Sequence, residues 1–220
     1  MFVSKWMSPK VVTIDKNASL GDAIRLMKQH RIRRLPVVSK GKLVGIVSDR
    51  DLKGALPSHA TSLDVWELHG LLDQLKIADI MTKTVVTTTP DSTIERVAQV
   101  MLEKKIEGLP VLDASGTLVG IVTEGDIFRA LTEVTGVTRK STRISLVIPD
   151  RPGSIMQVAD VVRARGGKIF SILTTHAKVP NGNRELIMRV EITSAKAAEI
   201  RKELAGKYGE VSVLSDEESA

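Results

Sequence analysis

Two short polar signatures in this chain have the residue types to hold a sugar phosphate: Ser48 with Asp51, and Thr123 with Asp126. Each follows an apolar run, Leu43-Val44-Gly45-Ile46-Val47 or Leu118-Val119-Gly120-Ile121-Val122, so each sits where a strand passes into a helix. A helix start offers unpaired amides and the positive end of its dipole, which attract phosphate. A hydroxyl there can bond phosphate or sugar, and an aspartate three residues on has two acceptor oxygens suited to the paired hydroxyls of a ribose. The same spacing is that of an ordinary capping box, and a single occurrence would favour the cap. Its duplication after the same Gly-Ile-Val strand shifts the weight to a binding site.

Arg33 and Arg34 stand just before Leu35-Pro36. They read either as the basic last turn of a helix, favoured by its dipole, or as a forked clamp for phosphate oxygens. The corresponding place 74 residues on holds Glu107-Gly108, whose carboxylate repels phosphate. The sequence thus predicts unequal sites, with the one around Arg33, Arg34, Ser48 and Asp51 the better phosphate holder. The chain has no phosphate-loop pattern, no Gly-x-Ser-x-Gly and no His-Glu-x-x-His, and its four histidines (His30, His59, His69, His176) are dispersed. No catalytic residue, catalytic cofactor or metal site is expected, and the reading is of a non-enzymatic protein.

The elements that position these residues occur twice. Leu35-Pro36-Val37-Val38 and Leu109-Pro110-Val111-Leu112 are each followed by a turn and the Gly-Ile-Val strand, at an offset of 74 residues before the turn and 75 after it. A strand at 11–14 and a helix capped by Ser19, with Leu20, Ala23, Ile24 and Met27 as its buried stripe, precede the first hairpin; a strand at 85–87 and a helix with Ile94, Val97, Ala98 and Met101 precede the second. Units this short cannot bury an apolar face alone, so the copies should pack together about a pseudo-twofold axis and leave a cleft. Residues 56–62 read as a loop and 63–75 as a connecting helix, which divides the chain into 1–62 and 63–134. A basic linker follows at 135–142. Residues 143–215 then read as βαββαβ, a ferredoxin-like order, with Asp150-Arg151-Pro152-Gly153 as the turn before its first helix and 216–220 as an acidic tail. The fold class is α/β (α+β).

Composition bounds the function. The 220 residues are 42% hydrophobic and 26% charged, ordinary for a soluble globular chain. There is no cysteine, which excludes disulfides and thiolate metal sites and fits a cytoplasmic protein. No apolar run is long enough to span a bilayer, and no signal peptide is expected. A net charge of +6 could serve nucleic acid. The basic residues are scattered, however, without a recognition helix or an aromatic stacking strip, so nucleic-acid binding is a minority alternative. A structural dimer with empty clefts is another.

The duplicated segment, roughly 1–134, resembles a tandem pair of CBS domains, the Bateman module. The resemblance is carried by Met7-Ser8-Pro9 and Met81-Thr82, the two Leu-Pro-Val runs, and the two Gly-Ile-Val-Ser/Thr-x-x-Asp signatures. It implies a regulatory adenosyl ligand: AMP, ADP, ATP, NAD or S-adenosylmethionine. It further implies ribose contacts at Asp51 and Asp126 with Ser48 and Thr123 nearby. Adenine would lie near Pro9, Ile32 and Arg33 in one site and near Lys83, Ile106 and Glu107 in the other, with base and ribose contacts often drawn from different repeats. Residues from about 143 to 215 resemble an ACT domain, which implies dimerisation or a small effector at the Asp150-Arg151-Pro152-Gly153 loop. The order of CBS pair then ACT is similar to that of AcuB-type acetoin-utilisation regulatory proteins. Both families imply a homodimer or higher homo-oligomer.

Overall fold

Helix α1 (Leu20–His30) begins where the sequence places its cap. Ser19 Oγ accepts from the Asp22 amide at 3.1 Å, and the Asp22 carboxylate accepts from the Ser19 amide at 3.0 Å. In this computed structural model the described residues are 1–56, 72 and 74–215. All but Leu56 of the loop expected at 56–62, most of the helix expected at 63–75, His59, His69 and the acidic tail at 216–220 lie outside them.

The chain divides into two compact units, Met1–Ile127 and Phe128–Ala220. In the first, β1 (Ile14–Asp15) pairs in parallel with β2 (Arg34–Ser39), which pairs antiparallel with β3 (Lys42–Ser48) ahead of α2 (Asp49–Ala55). A single turn, α3 (Ile77–Ile80), precedes α4 (Ile94–Lys104), and the second hairpin is β4 (Gly108–Leu112) with β5 (Leu118–Thr123). The two hairpins have the same register: Arg34 opposes Ser48, and Gly108 opposes Thr123. Helix α5 (Glu124–Thr135) follows, and the boundary between the units falls inside it. The strand expected at 11–14 is only two residues long, and that expected at 85–87 is reduced to one parallel bridge, Thr88 to Val111.

The segments leading into each copy spend their hydrogen bonds elsewhere. Ser8 exchanges amide and carbonyl bonds with Ile121 of β5 at 2.9 and 3.1 Å, while Thr82 does the same with Ile46 of β3 at 2.9 and 3.0 Å. Ile77 is fully buried with Leu20, Leu35, Val37 and Val47, so it completes the first copy's core although it stands at the head of the second. Conversely, Val3 donates to Ser92 O at 2.8 Å and Ile94 to Met1 O at 2.7 Å. Each copy therefore supplies the other with its leading strip. Gly45 and Gly120 permit the close approach: a Cβ would lie 2.4 Å from Met81 Sδ at Gly45 and 2.4 Å from Met7 Sδ at Gly120.

The second unit contains β6 (Thr142–Pro149), α6 (Ser154–Ala164), β7 (Lys168–Thr175), β8 (Asn183–Glu191), α7 (Ser194–Tyr208) and β9 (Val211–Ser215). Its four strands form one antiparallel sheet in the order β7-β8-β6-β9. Alternation puts Ile144, Leu146 and Ile148 of β6 and Leu186, Met188 and Val190 of β8 on one face. There they bury against Val158 and Val162 of α6 and Ile200 and Leu204 of α7.

Candidate functional site: a cleft between the two copies

The Ser48–Asp51 signature is a capping box in space, and the Thr123–Asp126 signature repeats its carboxylate half. The Ser48 amide and Oγ donate to Asp51 Oδ2 at 2.8 and 2.7 Å, and Thr123 repeats this on Asp126 Oδ2 at 2.7 and 2.8 Å. At Asp51 the box uses one carboxylate oxygen, Oδ2. Asp126 is buried, while Asp51 is half-buried.

A cleft of about 220 Å³ opens at the first signature. One wall is Ser48, Asp49, Arg50 and Asp51; the other is Thr82, Thr84 to Val86, and Ile106 with Glu107. The exchange of leading strips builds this pairing, because Thr82 is held against Ile46 on the strand that ends in Ser48. Helix α4 ends in Lys105 with left-handed backbone (φ 54°), and the Ile106 amide turns back to Met101 O at 3.0 Å, which delivers Ile106 and Glu107 to the cleft.

Glu107 is the electrostatic centre of this cleft. Its side chain takes Arg34 Nη2 at 2.5 Å and Arg50 Nη2 at 3.4 Å, and its carbonyl takes Arg34 Nη1 at 2.8 Å. Arg34 is mostly buried, with its side chain 15% exposed. It packs over Gly108, where a Cβ would stand 3.0 Å from Arg34 Cδ and 3.1 Å from Nη1. Arg34 and Gly108 are equivalents in the two hairpins, so one copy supplies the arginine and the other the room for it.

The residues singled out by sequence are thus grouped as follows. Arg34, Ser48, Asp51, Ile106 and Glu107 meet in one cleft. Arg33 is exposed and is not among its lining residues; its carbonyl accepts from the Asp49 amide at 2.8 Å. Of the expected cluster of Arg33, Arg34, Ser48 and Asp51, Arg33 stands outside this cleft, and Arg34 is paired with Glu107 rather than separated from it. The physical reason is that adjacent residues entering a strand point to opposite faces. Lys83 lines a separate hollow with the two hairpin turns at Lys42 and Gly116, while Thr82 and Thr84 on either side of it face the cleft. Ile32 packs on the first core, and Pro9 is exposed one residue after the Ser8 bridge to β5. Arg50 and Thr84 have no motif role of their own, and the sequence signals for them are the neighbouring Asp51 and the Met81-Thr82 pair.

In the second unit Asp150 accepts a bond from His176 Nε2 at 2.8 Å and pairs with Arg184, while its amide donates to Gly182 O at 2.8 Å. The Arg151 amide turns back to Pro149 O at 3.0 Å, and Gly153 adopts φ 87° ahead of buried Ser154. The Asp150-Arg151-Pro152-Gly153 loop is thereby tied to the β7–β8 connection. Among the described residues no group of histidine, aspartate and glutamate could hold a metal ion, and no helix is long and apolar enough to cross a membrane.

Two interlocked β-hairpin and helix copies, each bonded to the leading strip of the other, define a tandem α/β module. The model of the CBS domain matches residues 3–58 and 77–133, and the chain belongs to the CBS-domain family. It is similar to protein MJ1426 of Methanocaldococcus jannaschii, with 34% identity over 60% of this chain and 91% of that protein. It is 36% identical to MJ0188 of the same organism but spans only 45% of its length. Among solved structures it is similar to the CBS domain pair of protein MJ0100 in complex with 5′-methylthioadenosine and S-adenosyl-L-methionine, at 31% identity and a TM-score of 0.52 over 63% of this chain and 98% of that one. It is also similar to CBSX2 of Arabidopsis thaliana in complex with AMP, at 30% identity and a TM-score of 0.50 over 63% and 98%.

Proposed function

We propose that this chain is a non-catalytic regulatory protein that binds an adenosyl ligand in the cleft between its CBS copies. The observation that carries the reading is the meeting, in one cleft, of Ser48 and Asp51 from the first copy with Thr82, Thr84, Ile106 and Glu107 from the second. The apolar strip at Val85, Val86 and Ile106 suits a base, and Asp51 suits ribose hydroxyls. Relatives with about 30% identity carry AMP, or 5′-methylthioadenosine and S-adenosylmethionine, in their solved structures. Thr123 and Asp126, with Pro9, Ile32 and Arg33, are the candidate residues of the equivalent second site.

Residues 143–215 are proposed to form a ferredoxin-like ACT domain, as in the AcuB-type order of domains. The βαββαβ order and the β7-β8-β6-β9 sheet support this. That domain would serve dimerisation or a small effector at the Asp150-Arg151-Pro152-Gly153 loop. Ligand binding regulates only if it favours one of two conformations or assemblies.

Calorimetric titration with AMP, ADP, ATP, NAD and S-adenosylmethionine, repeated on Asp51→Ala, tests the site. Saturable binding lost in the variant is the expected result. No binding of any of them would refute the nucleotide reading and leave a structural dimer with empty clefts.

A further inference from the structure

Within the adenosyl-site reading, on which this rests, we infer that Glu107 makes the Ser48–Asp51 cleft select an adenosyl ligand without phosphate, such as a thionucleoside or a sulfonium nucleoside. The argument begins with which charges are already spent. The buried cation of the cleft, Arg34, is held by Glu107 through both its carboxylate and its carbonyl, at 2.5 and 2.8 Å. Arg50 also leans on the same carboxylate at 3.4 Å. A ligand phosphate entering here meets a fixed anion and must compete with it for both arginines.

The remaining charges do not reverse this. Asp49 and Asp51 balance Arg50 and Lys105 along the lining, so the cleft as a whole offers no excess positive charge. A half-buried like charge a few ångströms away is a strong specificity element, because the repulsion is only partly screened there.

The equivalent position in the other copy is opposite in sign. The Asp49 amide bonds Arg33 O, and the Glu124 amide bonds Glu107 O, so Arg33 and Glu107 are mates under the pseudo-twofold. The pseudo-twofold counterpart of the Glu107 carboxylate is therefore a guanidinium.

The experiment is calorimetry with 5′-methylthioadenosine and AMP on the full chain, Glu107→Gln and Glu107→Lys, each with and without Asp51→Ala to mark the first cleft. Expected for the wild type is Asp51-dependent binding of 5′-methylthioadenosine and no Asp51-dependent binding of AMP. Glu107→Gln should raise the ratio of Asp51-dependent AMP affinity to 5′-methylthioadenosine affinity by about tenfold or more, equivalent to about 1.4 kcal/mol, and Glu107→Lys should raise it further. Glu107 is 41% exposed, so both variants can fold, and a thermal melt checks that they do. An AMP to 5′-methylthioadenosine affinity ratio unchanged in both variants overturns the inference while leaving the adenosyl site intact. Absence of any Asp51-dependent binding in all proteins overturns the site itself and the inference with it.

Discussion

Replacing Asp51 with alanine should separate the structural role of its carboxylate from its binding role. In the free protein Asp51 Oδ2 accepts from the Ser48 amide and hydroxyl at 2.8 and 2.7 Å. Losing this half of a capping box costs about 1 kcal/mol, or roughly 4 °C in melting temperature for a unit of this size. In the complex the same carboxylate would accept from ribose hydroxyls, and a charged hydrogen bond is worth about 1.5–3 kcal/mol. Adenosyl affinity should therefore fall roughly 10- to 150-fold. An internal control is built into the chain. Asp22 closes the same box on Ser19 at 3.0 and 2.8 Å, at the head of α1 and outside the cleft lining. Asp22→Ala should lose a similar amount of stability and no ligand affinity, by calorimetry and thermal melting at pH 7. Equal ligand affinity in both variants would refute the ribose assignment, since Asp51 would then be a cap and nothing more.

Three further outcomes are expected. The Asp22 carboxyl is held below the ordinary carboxylate range, chiefly by the Ser19 amide that donates to it; its stabilisation is thus full above about pH 4 and disappears as pH falls through the lowered folded value. The stability difference between wild type and Asp22→Ala, followed by denaturant titration, should accordingly shrink under acid, and a difference that grows under acid would contradict the assignment. Gly45→Ala places a Cβ 2.4 Å from Met81 Sδ and 3.2 Å from Thr82 O, so it should cost about 1–3 kcal/mol and weaken adenosyl binding by displacing the strip that carries Thr82. Met188→Ala removes a fully buried side chain from the sheet of the second unit and should cost about 2–5 kcal/mol in chemical denaturation without changing adenosyl affinity.

The hairpins, the capped helices and the duplicated junctions were legible in sequence because their signals are local. Ser19 with Asp22, the Gly-Ile-Val strands and the buried stripes each depend on residues within one or two turns. The tertiary partners of the leading strips were not. Nothing around Ser8 or Thr82 signals that its backbone bonds lie on the other copy's hairpin. The same gap hid the company of Glu107. Sequence shows its sign and its alignment with Arg33, but only the fold brings it against Arg34 and Arg50.

The mutual loan of leading strips also bears on how such a chain could arise and be dismantled. A single half that kept its strip in the same place would need a second molecule to receive it, as in an arm-exchanged dimer. Fusing the halves turns that encounter into an intramolecular one, at an effective concentration on the order of millimolar for a short tether. Neither half retains what its own core needs: without Ile77 the first loses a fully buried core side chain, and without Val3 the second loses a bonded terminal strip. Chain cleavage between the copies would therefore give fragments that complement each other on mixing but do not fold apart.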